Sequence, residues 1–248
     1  MDQVLDKIKE IVSESQNIVL VSGSEVMRET GLNGIHAEHM AYEIESKYGY
    51  SSDEIVSSLF LGRQVETFYD FYRNVILNKM DVEPTAVYKA AAHLEQEGKL
   101  TAVVTRMIYG LYQKAGCKNV IEMYGSAEKN RCPVCGRVYD AHYIKECDEA
   151  PKCTECGVIL RPGFTLFGEM LDNGKLTKAC DAIEHADVLI VAGMALRSQT
   201  WAGMLRYYEG DKLVLLNTHE NRGDEKANYR AYGKLSELFA YITDLLQE

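Results

Sequence analysis

A chain of 248 residues, 46% of them hydrophobic, is long enough to bury one large core, or a core with a small satellite domain. Thirty-seven acidic against 27 basic side chains give a formal net charge of −10, and no basic run occurs, which argues against a nucleic-acid partner. The longest apolar run, VLIVAGMAL from Val188, is about half of what a membrane span requires.

The first residues, MDQVLDKIKEIVSESQ, are charged and amphipathic and lack the apolar centre of a signal peptide. Residues 17–23 (NIVLVSG) then form a continuous apolar run ending at glycine, which predicts a buried strand. A helical insertion is expected over 36–77. It contains SSDEIVSSLF, where Ser51 or Ser52 caps a helix, and VETFYDFYRNVI, whose Phe68, Tyr69, Phe71 and Tyr72 recur at helical spacing as packing residues. His36 and His39 stand three apart and would share a helix face there, with a solvated role as the simplest reading. A helix over 86–96 precedes a strand over 100–105 and another over 120–123. After the cysteine-rich stretch come a helix over 175–185 and strands over 188–193 and 213–217. Alternating β and α elements predict an α/β fold around a doubly wound parallel sheet, with ligands at the carboxyl ends of its strands.

Cys132, Cys135, Cys153 and Cys156 form two C-x-x-C units separated by 17 residues. Each unit turns two thiolates toward one tetrahedral ion, so the spacing predicts a zinc site. Four thiolates leave no open coordination position, and the metal is expected to be structural. A chain of this length does not need disulfide staples, and paired C-x-x-C units fit a reducing cytoplasm. Cys117, Cys147 and Cys180 remain as buried free thiols.

Taken in order, NIVLVSG at 17–23, TRMIYGLYQKAGCKNVIEMYGS at 105–126 and the paired C-x-x-C units resemble the sirtuins. The stretch TRMIYGLYQKAGCKNVIEMYGS from Thr105 to Ser126 keeps the frame of the family's T-Q-N-I-D-x-L-H-x-x-A-G and E-x-H-G segments at Thr105, Ile108, Leu111, Ala115, Gly116, Ile121, Glu122 and Gly125. The strand at 17–23 with Gly31 and Leu32, the F-Y-x-F-Y-R run, Pro84, the cysteine module, Leu160-Arg161-Pro162 with Phe167-Gly168-Glu169, Gly193 with Leu196, and Asn217 also fit. The resemblance implies a Rossmann-like parallel-sheet domain with a small domain made of a zinc ribbon and a helical module. Residues 1–248 then form one unit: the large domain at 1–35, 78–126 and 162–248, the helical module at 36–77 and the zinc ribbon at 127–161. It further implies NAD as cofactor, an extended acyl-lysine peptide as partner, and NAD-dependent removal of acyl groups from protein lysine.

Against that template the catalytic positions differ. Tyr124 stands where the family has its general-base His, and Met107 and Tyr109 stand at its Asn and Asp. A phenol of pKa about 10 is protonated at neutral pH, and loss of a positioned base costs about 10²–10⁴ in rate. The cofactor-binding positions implied by the resemblance are Gly23, Ser24, Glu25, Thr105, Arg106, Gly193 and Asn217. Glu25 places a carboxylate where the family's loop approaches pyrophosphate, which opposes NAD binding unless an arginine (Arg28, Arg106 or Arg197) neutralises it. Tyr109 and Tyr124 are expected to fill nicotinamide-ribose space. The leading expectation is a degenerate sirtuin with a binding or regulatory role. The alternatives are an enzyme of altered chemistry, such as ADP-ribosyl transfer, and a peptide-capturing module.

Overall fold

A computed structural model of the protein describes residues 2–197 and 199–245. Helix α1 (Asp2–Glu14) leads into β1 (Ile18–Ser22) and a single short turn of helix, α2 (Ser24–Arg28). A run of short helices follows: α3 (Glu38–Tyr48), α4 (Ser52–Ile55), α5 (Ser58–Arg63) and α6 (Val65–Phe71), continued by a π-helical turn at Tyr72–Ile76 and a 3₁₀ turn at Leu77–Lys79. The chain re-enters the sheet through α7 (Ala86–Gln96), β2 (Leu100–Thr105), α8 (Leu111–Lys114) and β3 (Val120–Glu122). The cysteine module carries the strand pair β4 (Asn130–Arg131) and β5 (Val138–Tyr139) with α9 (Ala141–Glu146). The last third comprises α10 (Asn173–His185), β6 (Val188–Ala192), α11 (Gln199–Leu205), β7 (Leu213–Asn217), β8 (Tyr229–Tyr232) and α12 (Leu235–Ile242).

The six long-range strands pair in parallel in the order β3-β2-β1-β6-β7-β8. Strand direction explains why they read as unbroken apolar runs. Ile18 and Leu20 of β1 enter one core, Val19 and Val21 the other, and β6 alternates in the same way. One face is covered by α1, α7 and α12, and the other by α10 and α11. The chain order reverses between β1 and β6, so the loops leaving these two strands diverge and open a crevice.

Predicted strands and helices match within one or two residues. The early start of α10 has a local cause: the Asp172 carboxylate accepts from the Gly174 and Lys175 N–H groups and caps the helix. Ser51, not Ser52, caps α4, accepting from the Glu54 N–H at 3.2 Å. Edge strand β8 has no counterpart in the sequence reading, because YRAY is too short and too polar to register as a buried run. The shared helix face for His36 and His39 is not realised: His39 lies in α3, whereas His36 sits in the preceding turn, 3.2 Å from Asp53.

The aromatic run of α6 is core, as expected, with Phe68, Tyr69, Phe71 and Tyr72 all fully buried. Its phenols also fasten the helical stretch to the cysteine module. Tyr69 donates to the Leu160 carbonyl, Tyr72 bonds the Ala127 carbonyl and Asn130 Oδ1, and Arg73 reaches the carbonyls of Asp148 and Glu149. A hydroxyl buried this deeply needs such partners. Among the described residues, no helix is long and apolar enough to cross a membrane.

Candidate functional site

A cleft of about 750 Å³ opens at the carboxyl ends of β1, β2, β3 and β6. Gly23, Ser24 and Glu25 line it from the loop after β1, and Gly193 and Met194 from the loop after β6. These loops meet backbone to backbone: the Gly23 N–H donates to the Ala192 carbonyl at 2.8 Å and the Glu25 N–H to the Gly193 carbonyl at 3.1 Å. A Cβ on Gly23 would lie 2.3 Å from the Gly193 oxygen and 2.4 Å from Met194 Cβ, so the approach admits only glycine. Gly193 itself has φ 66°, a left-handed conformation.

The loop after β2 supplies Arg106, Met107 and Tyr109, and the segment after β3 supplies Tyr124. The Arg106 guanidinium lies over the Tyr124 ring, 5.1 Å from its centroid. Tyr109 is only 6% exposed, yet its hydroxyl has no hydrogen-bond partner among the described residues. Burial pushes its pKa up to about 12, so it stays an O–H donor at neutral pH. Tyr109 also lines a second cavity of about 730 Å³.

Thr105 and Asn217 lie beneath this floor. Thr105 Oγ1 accepts from the Met107 N–H at 3.1 Å, and Asn217 Nδ2 donates to the Met194 carbonyl at 3.3 Å. Both are buried and shape the cleft loops. Tyr112 is buried away from the cleft, ring to ring with Tyr88. Trp201 is buried and also reaches the cleft wall.

Two expectations about the cleft are corrected. Glu25 does not pair with Arg28, Arg106 or Arg197. Its Oε2 accepts from Thr218 Oγ1 at 2.6 Å, and its Oε1 lies 4.0 Å from His219 Nδ1. The ordinary way to settle a carboxylate that is 15% exposed is a hydrogen bond from a nearby hydroxyl, and Thr218, directly after β7, is within reach. Nor do Tyr109 and Tyr124 fill the cleft. Tyr109 is part of its wall and Tyr124 lies against Arg106, which leaves the space open. Thr218 and His219 went unnoticed in the sequence, where nothing links them to a residue almost two hundred positions earlier.

At the rim, Glu169 is held by Arg161 and accepts from the Leu166 N–H at 2.8 Å. Phe167 between them is 52% exposed, and Ser58 N–H bonds its carbonyl at 3.0 Å.

Away from the cleft, the four Sγ atoms of Cys132, Cys135, Cys153 and Cys156 all lie within 4.8 Å of one another. A tetrahedral zinc with bonds of about 2.3 Å sets its sulfurs about 3.8 Å apart, and Cys135 and Cys153 Sγ stand at 3.7 Å. The Tyr139 hydroxyl donates to Cys153 Sγ at 3.2 Å. That bond, with the N–H of Cys156, brings the thiol down to about 6 despite the opposing effect of burial. Four sulfurs converging at these distances suit a closed metal site. Of the other cysteines, Cys117 is buried while Cys147 and Cys180 are partly exposed, which corrects the expectation of three buried thiols.

The Sir2 family model matches residues 21–200, spanning both cleft loops and the cysteine module. The chain belongs to the Sir2 family. This sirtuin is 38% identical over 229 residues to an NAD-dependent protein deacetylase of Clostridium acetobutylicum, covering 91% of this chain and 93% of that one. It is 36% identical over 245 residues to an NAD-dependent protein deacetylase of Clostridium perfringens, covering 98% and 100%. Among solved structures, one concerned with sirtuin substrate affinity superimposes with TM-score 0.85 at 26% identity, over 96% of this chain and 97% of that one. A Sir2 protein with a histidine-to-tyrosine substitution, solved with a p53 peptide and NAD, gives TM-score 0.79 at 26% identity over 97% of each chain.

Proposed function

We propose that this sirtuin binds an NAD-type dinucleotide and an extended acyl-lysine peptide in its cleft, and that its deacylation step is strongly slowed. The observation that carries this is an open cleft at the strand ends in which Tyr124, at the family's His position, lies against Arg106. The open volume supports binding, and the hydrogen bond from Thr218 to Glu25 lessens the obstacle that the carboxylate presents to a pyrophosphate. A neighbour with a tyrosine in place of a histidine was solved with both a p53 peptide and NAD, which supports binding of the two ligands beside such a substitution.

In this reading Gly23, Ser24, Glu25, Arg106 and Gly193 face the dinucleotide, and Thr105 and Asn217 hold their loops. Met107, Tyr109 and Tyr124 replace the polar groups that position the ribose and remove its proton. The zinc that the four cysteines would hold is structural, fixing a ribbon at 127–161 beside the helical module at 36–77. The large domain comprises 1–35, 78–126 and 162–248, and the reduced thiolates suit a cytoplasmic setting.

Calorimetry with NAD and ADP-ribose, alongside an acetyl-lysine peptide turnover assay, tests the reading. Measurable dinucleotide affinity with turnover about 10²–10⁴ below that of the clostridial deacetylases is expected. Equal turnover, or no binding of either nucleotide, overturns it.

A further inference from the structure

Tyr109 borders two spaces, the cleft and a second groove of about 730 Å³ lined from α8, from α9 and from the turn that follows β3. The floor of this groove is set by the backbone. The Gly125 N–H donates to the Glu122 carbonyl at 3.0 Å and turns the chain at the end of β3. The Ala127 N–H donates to the Ile108 carbonyl at 2.9 Å and fastens that turn beside Tyr109. Gly110, left-handed with φ 65°, then leads the chain into α8. Glu122, Ser126 and Tyr109 are thereby brought together at the bottom of the groove, only 8%, 4% and 6% exposed.

Charges at the rim have partners within the protein. Lys145 pairs with Asp81 at 3.1 Å, His142 lies 3.4 Å from Glu146, and Lys114 donates to the Met80 carbonyl. The floor is different. Lys175 donates to the backbone carbonyl of Glu122 at 2.8 Å, and the Glu122 carboxylate forms no ion pair among the described residues. Burial pushes this carboxyl above the ordinary range. The charge of Lys129, a hydrogen bond from Gln113, the charge of Lys175 and a hydrogen bond from Ser126 offset only part of that. Tyr109 adds a buried hydroxyl with no partner among the described residues. A nearly buried carboxylate between two hydroxyls complements a cation that donates hydrogen bonds. A primary ammonium has three N–H donors and no acceptor, and the three side chains present a matching set of oxygens.

We infer that this groove is a binding site for the primary ammonium group of a small organic amine, held by the Glu122 carboxylate and the Ser126 and Tyr109 hydroxyls. The methylene chain of the amine would lie against Met80, Ala141 and the aliphatic stem of Lys114. The inference is independent of what the cleft binds, because Glu122 and Ser126 line the groove and not the cleft.

The test is calorimetry on the full chain with pentylamine, pentanol and pentanoate, which share a chain length and differ in the charge of the head group. Salt of about 0.1 M screens general attraction of the amine to an acidic surface. Pentylamine is expected to bind at least about tenfold more tightly than pentanol, a typical gain for hydrogen bonds to a charged group, and pentanoate most weakly. Glu122→Gln keeps the shape and removes the charge, and should cost pentylamine at least about tenfold while leaving pentanol unchanged. Tyr109→Phe and Ser126→Ala should each weaken pentylamine a few-fold, with thermal melts confirming that every variant is folded. Equal affinity for amine and alcohol overturns the inference, and so does an amine preference that survives Glu122→Gln. Magnesium displacing pentylamine at equal concentration would assign the floor to a metal ion and overturn it as well.

Discussion

Thr218 Oγ1 donates to Glu25 Oε2 across 2.6 Å, joining the loop after β1 to the residue that follows β7. At an effective dielectric of 20, two like charges about 4 Å apart repel by about 4 kcal/mol, so the orientation of this carboxylate bears directly on nucleotide binding. We expect Glu25→Ala to tighten NAD binding by roughly three- to tenfold, since screening and the Thr218 bond already remove most of the repulsion. Thr218→Val should weaken it by releasing the carboxylate. Calorimetric affinities for the two variants moving in the same direction would refute this account.

Restoring histidine at the base position is expected not to restore the reaction. Tyr124→His alone leaves Met107 and Tyr109 in place, neither able to accept a proton or hold a ribose hydroxyl as a carboxamide or carboxylate does. Residues that act as a unit in catalysis do not contribute additively. Peptide turnover should therefore rise by less than about tenfold. Full recovery in Tyr124→His would mean that the base was the sole deficiency.

The cysteine set should hold one zinc per chain, whose removal costs structure and leaves the cleft residues themselves untouched. Metal analysis of the purified protein checks the stoichiometry. Cys153→Ser removes the thiol that Tyr139 supports and is expected to abolish zinc retention and lower the melting temperature by roughly 5 °C or more. Full stability and a native melting curve after complete chelation would contradict a structural role.

Gly23→Ala tests the contact between the cleft loops. The added Cβ would meet the Gly193 oxygen at 2.3 Å, and that atom is backbone and cannot swing aside. Overpacking of this kind costs about 1–3 kcal/mol, and each kcal/mol is worth roughly 2–4 °C in a chain of this size. A melting temperature equal to that of the unaltered protein would show that the loops part easily.

Asp187 gives a prediction about pH. Burial opposes its ionised form, but the Ser15 hydroxyl and the Gln16 and Asn17 N–H groups bond it and hold its carboxyl below the ordinary 3.8. A depressed carboxyl stabilises the fold above its unfolded value, and that contribution is lost as pH falls through the folded value. Asp187→Asn should cost about 1 kcal/mol at pH 7, given the exposure of the site, and the cost should shrink below about pH 3.8. Denaturant melts at pH 7 and pH 3 check this, and an undiminished difference at pH 3 would exclude a charge-based origin.

The sequence by itself determined the layers and the metal-binding module. Parallel strands covered on both faces must be apolar throughout, so β1, β2, β6 and β7 announce themselves as unbroken runs. The C-x-x-C spacing is short-range geometry that survives in one dimension. Edge strand β8 was hidden because it pairs on one side only and carries polar residues. The cleft's electrostatics belong wholly to the tertiary structure. Glu25 could have met any of three arginines, and the nearest donor came from Thr218, which the parallel pairing of β1, β6 and β7 brings alongside. Arg106 was thereby left without a carboxylate and settled on the Tyr124 ring. Charge pairing falls off within a few ångströms, so it is decided by which strand ends the sheet sets side by side, and sequence separation carries no record of that.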